Sequence, residues 1–255
     1  MQHCYDCFVF IRSTNQNHDT MKNTFFANRS RLNLSVILLT LGIAAQSVCG
    51  QQEERAVSGF EGISYSLPGT LEIVQGTNEG LILQGDEKVF EQIITKVEDG
   101  ELKIYSKSHG SGLSDVTVIV TVIKLESLAV AGSGEVTIKD ILKVNELEFS
   151  LSGSGNITCN RLEASETEIS IAGSGDMTIG GKVHEVEISV AGSGDVFADN
   201  LESEEAEVSI AGSGSVKVWA TKELESSIVG SGNVSYRGNP LVEAETSGSG
   251  CTKPL

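Results

Sequence analysis

The tripeptide Gly-Ser-Gly recurs through the second half of this chain, beginning at Gly132, Gly153, Gly173, Gly192, Gly212, Gly230 and Gly248. The intervals are 21, 20, 19, 20, 18 and 18 residues. A period of that size marks a solenoid, in which each repeat is one unit stacked on the next and no unit can bury its apolar face alone. An eighth copy at Gly110 has different flanks and stands outside the series.

The flanks say which solenoid. Ahead of the glycines, polar and apolar residues alternate strictly, as in Glu166-Thr167-Glu168-Ile169-Ser170-Ile171 and Glu185-Val186-Glu187-Ile188-Ser189-Val190. Period two is the signature of a strand with one buried face. After the glycines comes a shorter strand, such as Asp176-Met177-Thr178-Ile179. Each unit therefore reads as strand, glycine corner, strand and polar turn, with no helical or leucine-spaced segment. The expected fold is all-β, a parallel β-helix (a solenoid) with coils of about 20 residues. Ile169, Ile188 and Val208 should stack inside, as should Ile171, Val190, Ile210 and Ile228; Val136, Ile157, Met177, Val196, Val216 and Val234 form a further inner column. The corner glycines (Gly132, Gly134, Gly153, Gly155, Gly173, Gly175, Gly192, Gly194, Gly212, Gly214, Gly230 and Gly232) are structural, serving positive φ and the close approach of stacked turns.

The chain divides into three. Residues 128–255 hold the regular coils and a C-terminal cap that includes Pro240. Residues 51–127 lack the clean repeat but stay strand-like around Ile63–Ser66, Leu71–Gln75, Leu81–Gln84, Leu102–Ser106 and Val116–Val122, so they read as irregular opening coils. Asp86 to Val97 suits a short helix or another strand. Residues 1–50 read as an upstream extension, with the true start at Met21, followed by a secretory signal. Basic Lys22, Arg29 and Arg31 precede an apolar run of about 14 residues from Leu32 to Ala45, and small residues follow. A membrane span needs roughly 20 apolar residues. Cleavage after Gly50 would expose Gln51; lipidation at Cys49 is the alternative, and would be the only membrane attachment besides export itself. The expected location is therefore the periplasm, the outer-membrane surface or the extracellular space. Cys4 and Cys7 have the spacing of a metal or redox pair but lack a second pair to complete it.

Charge narrows the function. The chain has 35 acidic and 18 basic residues, a net −17. Nucleic-acid binding needs a cationic surface to displace phosphate counterions, so that class is excluded. The acidic residues are also ordered. Five residues before successive corners stand Glu148, Glu168, Glu187, Glu207, Glu225 and Glu243; seven before stand Glu146, Glu166, Glu185, Glu205 and Glu223. In the proposed register they form two acidic ladders on one outward face, beside Ser150, Ser170, Ser189, Ser209 and Ser227. Such a face either keeps sheets from aggregating or offers a surface to divalent cations or a cationic partner.

Together with these corners, three further segments carry a family resemblance: Phe60-Glu61-Gly62-Ile63, Leu102-Lys103-Ile104 after the turn Glu98-Asp99-Gly100, and Val234-Ser235-Tyr236-Arg237-Gly238-Asn239-Pro240. Over about residues 57–250 the chain resembles the auto-transporter adhesin family with the head GIN domain, common in Bacteroidota. The resemblance implies a right-handed parallel β-helix exported to the envelope or cell surface. It brings no catalytic residues.

Other chemistry is thin. Gly-Ser-Gly-Asp at Asp176 and Asp195 resembles the calcium-binding nonapeptide of repeat toxins, but that motif places ligands every nine residues. The residue after the corner varies among Glu135, Asn156, Asp176, Asp195, Ser215, Asn233 and Cys251, a list suited to turns. Calcium at Asp176 and Asp195 is the one cofactor left open. A glycosidase needs an acid and a base across a sugar-sized cleft, and neither His109 nor His184 sits in a motif. Cys159 should point inward about five coils from Cys251, too far for a disulfide. The expected function is that of an exported, non-enzymatic envelope protein that binds a surface glycan or protein. An envelope-sensing or scaffolding module is the alternative, and a polysaccharide-active enzyme the remote third.

Overall fold

The computed structural model describes residues 51–107 and 112–255. The expectations for residues 1–50, for His109 and for the Gly-Ser-Gly at Gly110 lie outside them. Within them the chain is a β-solenoid of about six turns with coils of roughly 20 residues. No helix among the described residues is long and apolar enough to cross a membrane.

Each regular coil has a first side, a glycine corner, a second side and a narrow third side. On the first side, strands Ser127–Gly132, Glu146–Gly153, Glu166–Gly173 and Glu185–Gly192 pair in parallel, followed by the ends of Val196–Gly212 and Ser215–Gly230 and then by Leu241–Gly248. The second side stacks Glu135–Ile138, Asn156–Glu163 and Asp176–Lys182 in the same direction. The third side was not evident in the repeat. There Leu142 pairs with Leu162, Leu162 with Gly181 and Gly181 with Leu201, adding a column whose three leucines are buried.

The columns align as the alternation requires. Ile169, Ile188 and Val208 stand in one register, and Ile171, Val190, Ile210 and Ile228 in the next, all buried. The column of Leu147, Thr167, Val186, Ala206 and Leu224 completes the inner wall. Removing this aliphatic surface from water is the main driving force for stacking. Hydrogen bonds zip the corners as well: the backbone N–H of Ser174 donates to Gly153 O at 2.9 Å, and that of Ser193 to Gly173 O at 2.8 Å. Gly173 sits at φ +134°, where a side chain is strained, while a β-carbon on Gly155 would lie 2.5 Å from Gly134 O. The corner therefore excludes side chains for two separate reasons.

The N-terminal half departs from simple winding. Strands Gly62–Ser66 and Thr70–Gln75 form the coil that the regular stack rests on, pairing with Ser127–Gly132 and Glu135–Ile138. Their other edges pair in parallel with Glu101–Ser106 and Thr117–Val122, which come later in sequence but lie further out. The chain thus lays down an inner coil, adds an outer one, and crosses back. Antiparallel strands close this end: Ile93–Glu98 on one side, Gly80–Gly85 and then Gln51–Arg55 on the other. The segment 86–97 holds both a short helix, Glu87–Phe90, and the start of a strand. Arg55 ties the two closing layers, donating to Ile93 O and Phe90 O at 2.8 Å each. Reversed, charged outer strands blunt an edge that would otherwise template further pairing.

Candidate binding face

The outward positions of the first side carry the two acidic ladders. The strand register sets Glu146, Glu166, Glu185, Glu205 and Glu223 side by side, and Glu148, Glu168, Glu187, Glu207, Glu225 and Glu243 in the adjacent column. Ser150, Ser170, Ser189, Ser209 and Ser227 form the third column, nearer the corner. Neighbours in each column are one interstrand spacing apart, about 4.8 Å. At that distance two carboxylates in water repel by about 1 kcal/mol.

None of these glutamates has an ion pair among the described residues; Glu146 accepts a hydrogen bond from Asn145 Nδ2 at 3.1 Å. The cost is visible mid-ladder. Partial desolvation first, then the charges of Glu168 and Glu207, hold the Glu187 carboxyl above its ordinary pKa. Shallow grooves run between the columns, one of about 370 Å³ bounded by Glu126, Glu146, Glu148, Glu166 and Glu168.

The third side of the same coils makes the opposite choice. Lys143, Glu163, Lys182 and Glu202 stand in one column, alternating in sign at every coil. Lys143 and Glu163 lie 2.7 Å apart, Lys182 and Glu202 3.2 Å. Beside them His184 Nδ1 is 3.2 Å from Glu204 Oε2, and Lys222 also contacts Glu204. This pairing, bordering a groove of about 490 Å³ with Ser165 and Lys182, was not apparent around an isolated histidine in the sequence. The recurrence of Lys and Glu at equivalent offsets in successive repeats was the available signal.

Asp176 and Asp195 follow the corner on the second side. Asp176 Oδ1 accepts the Asp195 backbone N–H at 3.0 Å, and Asp195 Oδ1 accepts that of Ser215 at 2.7 Å. Their side chains serve the next coil rather than their own turn. No three His, Cys, Asp or Glu among the described residues are grouped to hold a metal ion. Cys159 is buried and Cys251 exposed, both as free thiols.

Residues 59–240 match the family described as "putative auto-transporter adhesin, head GIN domain". The chain belongs to that family. Solved structures agree on the fold. A putative adhesin from Bacteroides fragilis superposes with a TM-score of 0.77 at 22% identity, covering 80% of this chain and 96% of that one. A putative lipid binding protein from Parabacteroides distasonis gives 0.68 at 28% identity, covering 82% and 98%. A putative adhesin from the same species gives 0.67 at 22% identity, covering 80% and 96%. No curated protein matches. The family match ends at residue 240, just before the last first-side strand, Leu241–Gly248.

Proposed function

We propose that this protein is an exported, non-enzymatic module of the cell envelope that acts in surface attachment, and that its glutamate–serine face is the contact surface. One observation carries the reading: the ladders are left without cations in a fold that alternates Lys and Glu on its neighbouring side. The same coil spacing could have been neutralised on both. A rigid sheet that repeats its carboxylates at each coil suits divalent cations or a partner with a repeating positive charge, since every coil adds an equivalent contact. Family membership supports the adhesin role, and the basic, apolar and small segments of residues 22–50 support export.

Protease shaving of intact cells, followed by peptide mapping, tests this. Peptides from residues 51–255 in the shaved fraction, without release of periplasmic markers, are the expected result. Their recovery only after the outer membrane is broken would favour the sensing or scaffolding alternative.

A further inference from the structure

We propose that the last coils, where the second side meets the third, carry a separate binding surface for an acidic polysaccharide whose sugars carry carboxylates, centred on Trp219 and Arg237. Across the described residues most basic side chains have a carboxylate within ion-pair distance, among them Lys96, Lys124, Lys139 and Lys182. Lys88, Lys107 and Arg161 have none and lie apart from one another; Lys217, Arg237 and Lys253 also have none, in a chain with 35 acidic and 18 basic residues. The register brings these three together. Lys217 pairs with Ser235, Ser235 with Lys253, and Trp219 with Arg237.

Each of two half-buried aromatic rings here is covered by one of these cations. Lys217 Nζ lies 5.2 Å from the centroid of Phe197, and Arg237 Cζ lies 4.1 Å from that of Trp219. A cation over a ring face is oriented without being neutralised. The guanidinium of Arg237, held over the indole, has no carboxylate within ion-pair distance and keeps the fork of N–H donors that matches one. Asp195 and Asp199 flank Phe197 with negative charge, Asp195 accepting the backbone N–H of Ser215; Glu202, which pairs in register with Trp219, is engaged by Lys182.

The surface is flat and crosses several coils, so an extended chain can lie over it with successive charges meeting Lys217, Arg237 and Lys253. A bilayer fits less well. Neither ring belongs to the strongly exposed apolar residues, so no wedge stands proud of the sheet. Three cations also fall short of the roughly four to eight that read an anionic membrane. The surface lies on a different side from the glutamate ladders and stands whether or not that face binds anything.

Trp219 is the only tryptophan in the sequence and so reports on the site directly. The full chain is titrated with polygalacturonate oligomers, uncharged dextran or phosphatidylglycerol vesicles at physiological ionic strength. Polygalacturonate should produce a saturable change in Trp219 fluorescence that dextran does not. Lys217→Ser and Lys253→Ser, which leave the indole in place, should each weaken binding about threefold and together about tenfold. Lys88→Ser, remote on the N-terminal helix, should change nothing. Circular dichroism establishes that each variant is folded. An equal response to dextran, a response to vesicles alone, or binding indifferent to Lys217→Ser and Lys253→Ser would overturn the proposal.

Discussion

Asp176 Oδ1 accepts the backbone N–H of Asp195 at 3.0 Å, so a side chain from one coil satisfies the main chain of the next. Asn156 reaches Asp176 in the same way at 3.4 Å, and Asp195 reaches Ser215 at 2.7 Å. The bond needs an acceptor oxygen and no charge. Asp176→Asn should therefore leave the urea midpoint nearly unchanged, whereas Asp176→Ala should cost about 1 kcal/mol. Equal losses in both variants would mean that the carboxylate has a further role, with a shared cation the first to test.

The glycine corners predict a graded response. Gly132 and Gly173 both have positive φ, but a β-carbon on Gly132 meets open space, whereas on Gly173 it runs into the backbone of Gly153. Gly132→Ala should lose about 1 kcal/mol from conformation alone. Gly173→Ala should lose clearly more, because the two coils must also move apart. Thermal melts of the pair decide whether close approach adds to the conformational penalty.

The two thiols should differ in reactivity. Burial pushes the Cys159 thiol up to about 12, whereas Cys251 is exposed. The thiolate is the reacting form, so at pH 8 iodoacetamide should label Cys251 in the folded protein and reach Cys159 only after denaturation. Mass mapping of labelled peptides provides the readout. Rapid labelling of Cys159 in the native state would contradict the inward register of its strand.

The acidic ladders predict a pH effect of definite sign. The Glu187 pKa is raised in the folded state, so its ionisation opposes folding. That penalty is absent below the ordinary glutamate value of about 4.3 and grows as pH rises through the higher folded value. Glu98, Glu126 and Glu204, lowered by Lys96, Lys124 and Lys222, pull the other way as pH falls. The clean quantity is therefore the difference between wild type and Glu187→Gln. The variant should melt higher at pH 7, and its advantage should vanish by about pH 4. An advantage independent of pH would assign the gain to something other than charge.

Some of this architecture is legible in the sequence and some is not. The columns through Ile169, Ile188 and Val208 follow from strict alternation, because a period of two leaves one inward register. The family resemblance rests on residues spread over most of the solenoid, and the family match covers residues 59–240. The third side went unread because its strands are short, only two residues at Leu142–Lys143, too few for any period to show, although Leu142, Leu162 and Leu201 recur after their corners. The placement of Gly62–Ser66 between Glu101–Ser106 and Ser127–Gly132 had no local signal at all. Pairing order across some forty residues is decided by which edges remain open, and alternation does not encode that. Outside the core, the glutamate columns were visible because each repeats one residue type. The Phe197–Lys217 and Trp219–Arg237 contacts were not, because they join unlike residues from successive coils.

The glutamate face either binds a ligand or merely stays wet. Melting temperature in calcium chloride, against sodium chloride at matched ionic strength, tests this most directly when wild type is compared with a Glu168→Gln, Glu187→Gln, Glu207→Gln variant. The prediction is a higher melting temperature in millimolar calcium for wild type and a smaller increment for the variant. Identical melting in the two salts, or an increment that the triple substitution leaves intact, would contradict it.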